Sequence, residues 1–174
     1  MRAYKKSAVF AMLCGAATCA LGASCLFLSG EHSALAAVVT AAVFVNAVVH
    51  AESFYDSLRE GRRQESVFTI TLVELAFVCF GLQQRYVCAG GGEEAWRCFL
   101  VVFAFYLTVN GASLAALPLR PARVCGVFAL LTALMLYGSV YLAKTERTCA
   151  LLLALCLVVN GAERVFMSAR GGKK

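Results

Sequence analysis

The sequence predicts an all-α polytopic membrane protein: six transmembrane helices arranged as three repeated helical hairpins, with both termini in the cytoplasm. Three observations carry this expectation. The chain has 174 residues and is 61% hydrophobic, well above the roughly 45–50% of a soluble domain, with a mean hydropathy of +0.76. Its charges gather in short stretches between apolar runs of about 17–23 residues, the length of helix that crosses a ~30 Å hydrocarbon core. Its three asparagines, Asn46, Asn110 and Asn160, each follow a valine, precede Ala or Gly and lie deep inside an apolar run.

The elements follow in order. The first span, 7–29, comes after the basic stretch Arg2 to Lys6. That start resembles the n-region of a signal peptide, but the apolar run from Ser7 to Leu28 exceeds the roughly 7–15 residues of a signal h-region, so it is read as a retained span. Ser29-Gly30-Glu31-His32 turns the chain into the second span, 33–55. A loop carrying Arg59, Arg62 and Arg63 leads to the third, 66–84. The flexible stretch Cys88 to Cys98, with Gly90, Gly91 and Gly92, leads to the fourth, 98–117. Arg120 and Arg123 precede the fifth, 123–143, and Lys144 and Arg147 precede the sixth, 148–168.

Orientation follows from the basic residues. Arg2, Lys5, Lys6, Arg59, Arg62, Arg63, Arg120, Arg123, Arg164, Arg170, Lys173 and Lys174 fall on one side of this six-span pattern, and Arg85, Arg97, Lys144 and Arg147 on the other, out of 16 in all. The richer side is read as cytoplasmic, which places the chain in a cell inner (plasma) membrane. The net charge of +6 is then mostly a topology signal. No loop is long enough to offer a basic face to nucleic acid. The partners expected are the lipid bilayer and, for an assembly, a second copy or another membrane protein.

Each repeat unit pairs two signatures. Odd spans carry Ala17-x4-Gly22, Ala76-x4-Gly81 and Ala133-x4-Gly138, and small residues of this kind mark close helix contact. Even spans carry the Val-Asn-small string. The units are 7–63, 66–123 and 123–170, in one membrane domain covering 1–174. Without gaps, 101–120 aligns on 151–170 through Ala104/Ala154, Leu107/Leu157, Val109/Val159, Asn110/Asn160, Gly111/Gly161, Ala112/Ala162 and Arg120/Arg170. Repeats in membrane folds often hold functional groups at their interfaces.

These hairpins, with a late Gly in the odd helices and an Asn-Gly-Ala stretch followed by Arg in the even ones, resemble the HdeD-type acid-resistance membrane proteins, most clearly over Phe128–Arg170. The resemblance implies six helices in about this length and an inner-membrane stress protein without a catalytic residue. The chain departs from that pattern in lacking a Pro between the helices of each hairpin and in its many cysteines.

Of nine cysteines, Cys14, Cys19, Cys79, Cys125 and Cys156 lie within spans and read as small hydrophobes. No Cys or His spacing suits a metal. Cys88 and Cys98 flank the external loop, where two readings stand: a disulfide, or two free interfacial thiols.

Glu74 is the sharpest candidate for chemistry. It sits in Leu72-Val73-Glu74-Leu75-Ala76-Phe77, and an acid at mid-membrane depth costs on the order of 2.5–3.5 kcal/mol. Helix lengths place it at one depth with Asn46, Asn110 and Asn160, within direct or one-water reach of an amide. The layer reads either as a proton or cation site or as interhelical glue. His50 lies one turn after Asn46 on the same face, as a titrating partner or a snorkelling interfacial side chain. Glu163-Arg164 at the same end of the sixth span fits an internal ion pair or separate snorkelling. Tyr55, Tyr86, Trp96 and Tyr141 flank spans as interfacial anchors. No catalytic motif or cofactor-binding loop occurs. The function that the HdeD resemblance implies is that of a non-enzymatic envelope or acid-stress membrane protein. The alternative is a small proton- or cation-linked transporter or channel, sited at Glu74 and the repeat asparagines.

Overall fold

The computed structural model describes residues 2–28, 30–61, 65–89, 93–116, 120–141 and 146–171. Six helices account for almost all of them: α1 (Arg2–Ser24), α2 (His32–Arg59), α3 (Glu65–Ala89), α4 (Glu93–Ala116), α5 (Arg120–Tyr141) and α6 (Glu146–Gly171). The Gly90–Gly92 stretch, Arg62, Arg63, Lys144 and the Lys173–Lys174 tail lie outside the described residues.

Five helices are long and apolar enough to cross a membrane; the apolar part of the other, Ala8–Ser24, is shorter. The first span therefore ends sooner than its hydropathy suggests. Past Ser24 the backbone tightens, with Cys25, Leu26 and Phe27 each donating to the carbonyl three residues back. Gly30, at φ 108°, then reverses the chain in a left-handed conformation that a side chain would strain. Gly61 does the same after α2, at φ 72°, with its N–H bonded to the Leu58 carbonyl, in the manner of a helix C-cap glycine.

The helices close into a ring in chain order. The most extensive interfaces join α2 to α3, α4 to α5, and α6 back to α1. Thinner ones join α1 to α2, α3 to α4, and α5 to α6, and, among the described residues, α2 alone reaches across to α4 and α6. The even helices are the more deeply buried and the odd helices wrap them. The core runs through Leu35, Val39 and Val43 of α2, Phe77 of α3, Phe99, Phe103 and Leu107 of α4, Leu136 of α5, and Leu153 and Leu157 of α6. Phe77 meets Phe99, Phe103 and Tyr106 at centroid distances of 5.5–5.6 Å, within the range of favourable tilted aromatic contact.

The outer surface is apolar as well. Leu13, Phe27, Phe44, Leu72, Phe105, Leu131, Leu134, Met135 and Leu151 are all exposed. A hydrophobic belt of that extent suits lipid and is rare on a soluble monomer.

Glycines set the closest approaches. A methyl on Gly126 would meet the Gly111 carbonyl oxygen at 2.6 Å and the Ala115 nitrogen at 2.5 Å; one on Gly161 would meet the Gly15 oxygen at 2.5 Å. Gly22 lies against Ala154, Leu157 and Val158 of α6, and Gly81 against Thr40 of α2, as the Ala-x4-Gly pattern predicts. Gly138 does not follow it. A methyl there would meet nothing within 4 Å. The tight crossing of α5 on α4 lies at Gly126, about 18 Å away along the helix. Trp96 also departs from the sequence reading. It is 4% exposed, stacked on His32 at 4.9 Å and on Phe99 at 5.7 Å, and so is no interfacial anchor. Tyr55 is exposed as an anchor should be.

Candidate functional site

The polar groups of the bundle gather where the three even helices face one another. Glu74, from α3, is wholly buried. Its Oε2 lies 2.8 Å from His50 Nδ1, and the Tyr106 hydroxyl donates to its Oε1 at 3.2 Å. On the far side of the imidazole, Arg164 Nη2 stands 3.4 Å from His50 Nε2. Asn46, one turn before His50, lies near the Tyr106 hydroxyl, while its Oδ1 is buried without a hydrogen-bond partner.

A guanidinium only donates, so a hydrogen bond from Arg164 to His50 Nε2 requires the tautomer with its hydrogen on Nδ1, which then donates to Glu74. The Arg164 contact, at 3.4 Å, is a long one. In that tautomer Glu74 accepts from both His50 and Tyr106, the acceptor role of a carboxylate. A second proton on His50 would set an N–H against an N–H of Arg164, and that contact would open.

Above the imidazole a cleft of about 380 Å³ opens, lined by Val49, His50 and Ser53 of α2, Asn110 and Leu114 of α4, Asn160, Glu163, Arg164, Met167 and Ser168 of α6, and Ala11 of α1. A far smaller gap of about 10 Å³ behind it is shared by Asn110 and Asn160 with Cys125 and Cys156. Glu163 lies within electrostatic range of Arg164 and His50. The cleft touches the titratable pair at His50; Glu74 forms the covered layer beneath.

The structure brings together Glu74, His50 and Asn46, and places Asn110 and Asn160 on the cleft wall. Among the described residues no asparagine amide bonds Glu74 directly; its partners are His50 and Tyr106, and Asn46 lies by the same Tyr106 hydroxyl. The interfacial snorkelling reading of His50 falls with its bond to Glu74. Cys98 is a free, exposed thiol; the side chain of Cys88, the other half of the disulfide reading, lies outside the described residues. Among the described residues no group of three His, Cys, Asp or Glu could hold a metal ion.

Tyr106 escaped the sequence reading, and Arg164 was read only as one half of an ion pair with Glu163 or as a snorkelling side chain. A signal for the observed cluster existed in each case. Tyr106 stands four residues before Asn110, on the same helix face. The positions four residues after the three asparagines are His50, Leu114 and Arg164, and all three line the cleft.

Comparison with protein-family models, with curated proteins and with solved structures finds no match.

Proposed function

We propose that this chain is a small, non-enzymatic, proton-linked transport protein of the plasma (inner) membrane, with its site in the cleft between α2, α4 and α6. The observation that carries the reading is the buried His50–Glu74 pair at the floor of that cleft. An acid inside a membrane protein is costly and is enriched on ion and proton pathways. Here one face of its partner imidazole meets the cleft and the other meets the carboxylate. The charged and titratable groups around His50 are Glu74 from α3, Tyr106 from α4, Glu163 and Arg164 from α6 and Glu52 on its own helix. Among the described residues, only Glu74 and Arg164 engage the imidazole directly.

The finer architecture belongs to the same proposal. The ring alternates extensive and thin interfaces, as expected if three hairpins at 7–63, 66–123 and 123–170 pack around a pseudo-threefold axis. The basic bias puts both termini in the cytoplasm, so the cleft, lined by Ser53, Met167 and Ser168, opens inward. An acid-stress role of the kind the HdeD resemblance implies fits a proton-linked site, since such a site changes state when the cytoplasm acidifies.

The test is proton movement in proteoliposomes under an imposed pH gradient. Wild-type protein should carry protons, and Glu74→Gln should abolish that flux while the protein stays folded. Equal flux in wild type and Glu74→Gln, or none in wild type under gradients of either sign, would overturn the reading.

A further inference from the structure

The cleft carries two opposite charges from one helix turn. Glu163 and Arg164 are chain neighbours on α6 and both line it. Neighbours on a helix diverge by about 100° and do not face each other, so the two charges lie side by side along the wall instead of closing into a pair. Arg164 spends Nη2 on His50, while its Nη1 is buried without a hydrogen-bond partner. As it stands Nη1 does not open on the cleft, but a guanidinium that turns an unbonded edge toward a carboxylate is its planar complement. Glu163 is half-buried and supplies an acceptor for an ammonium. The Asn110 and Asn160 amides add neutral hydrogen-bonding groups, and Leu114 and Met167 supply apolar wall. A volume of about 380 Å³ sits at the small end of ligand pockets.

We propose that the cleft binds a small zwitterion of the α-amino acid class, its carboxylate on Arg164 and its ammonium on Glu163. This rests on the proton-linked reading above and names its substrate class. The charges decide between solutes. A simple anion would meet Arg164 but be repelled by Glu163; a simple cation would meet the reverse. A solute with both charges on one carbon satisfies both groups at once, and no buried charge is left unpaired. On binding, the guanidinium turns its Nη1 edge to the carboxylate. That movement loosens the Arg164–His50 contact and frees Nε2 of the imidazole to take a proton, so solute and proton binding favour each other.

The experiment uses the full chain in lipid nanodiscs, titrated calorimetrically with alanine, acetate and methylammonium. Alanine should bind saturably, and at least about tenfold more tightly than either single-charge probe, the factor that one charge-assisted hydrogen bond supplies. Glu163→Gln should reduce alanine binding to the level of acetate. Alanine titrated in two buffers of different ionisation heat should show proton uptake. Acetate binding as tightly as alanine would overturn the zwitterion, and so would absence of saturable alanine binding in the millimolar range. If Glu163→Gln fails to fold, the comparison of the three probes on wild-type protein still decides. Proton flux without alanine binding refutes this inference and leaves the proton-linked reading standing. Alanine binding without flux does the reverse.

Discussion

Glu74 is held by two hydrogen-bond donors, and each substitution there separates a different property. Glu74→Gln keeps the size and one carbonyl acceptor for Tyr106, but its amide turns a donor toward His50 or loses the phenol. A stability loss of about 1 kcal/mol follows from one hydrogen bond replaced by a poorer one. Glu74→Leu strands both the His50 N–H and the Tyr106 hydroxyl in a dry site, at about 1–3 kcal/mol for each unpaired donor. Thermal unfolding in detergent should therefore rank wild type above Gln and Gln well above Leu; equal stability of the Gln and Leu variants would show that the network contributes nothing. Tyr106→Phe removes one donor and leaves Oε1 unpaired, so it belongs between Gln and Leu. The same residues show what composition and pattern could reveal. Glu74, His50 and the asparagines stand out because a polar group in an apolar run has no cheap explanation. Tyr106 does not, since a tyrosine among Phe103, Phe105 and Leu107 reads as core. Arg164 is legible as a charge beside Glu163 at the end of the sixth span and as part of the topology count, but its contact with His50 on another helix is not.

At the scale of helices, packing is governed by where two backbones touch. Gly126 and Gly161 are points of contact, with carbonyl oxygens and backbone nitrogens of the partner helix within 3 Å of any added methyl. Those atoms cannot move aside as a flexible side chain can. Leu at Gly126 or Gly161 should thus cost about 1–3 kcal/mol or more through overpacking, while Leu at Gly138 should be tolerated. The check is the unfolding temperature in one detergent; a loss at Gly138 as large as at Gly126 would contradict the observed geometry. The sequence pattern identified Gly22 and Gly81 because small residues recur there at one spacing. It passed over Gly15, Gly111, Gly126 and Gly161 as contact points. Gly15 and Gly161 meet across α1 and α6, and Gly111 and Gly126 across α4 and α5, at positions that fall outside the Ala-x4-Gly spacing.

The whole molecule's orientation decides which compartment the cleft serves. Ser53 and Ser168 line the cleft near the ends of α2 and α6 that precede Arg59 and follow Arg164, on the basic side. Cys98, exposed near the start of α4, belongs to the opposite side. In intact cells a membrane-impermeant thiol reagent should therefore label Cys98 from outside, seen as labelling lost in Cys98→Ser. Labelling that appears only after mild reduction would report the pairing with Cys88. Reporter fusions should agree, reading cytoplasmic after Arg63 and after Lys174 and external after Gly91. Helix number and approximate ends were readable from hydropathy because lipid demands apolar spans of fixed length. The arrangement of those spans around a polar centre was not, because it depends on a few interhelical bonds among side chains distant in the chain. An external C-terminus would invert the molecule. The cleft, Arg164 and Glu163 would then face outward, and any solute they bind would be drawn from outside the cell. Labelling of a Ser168→Cys variant separates the two cases directly. If the cleft opens inward, the reagent reaches this position only in inside-out vesicles; if outward, intact cells label as fast as vesicles do.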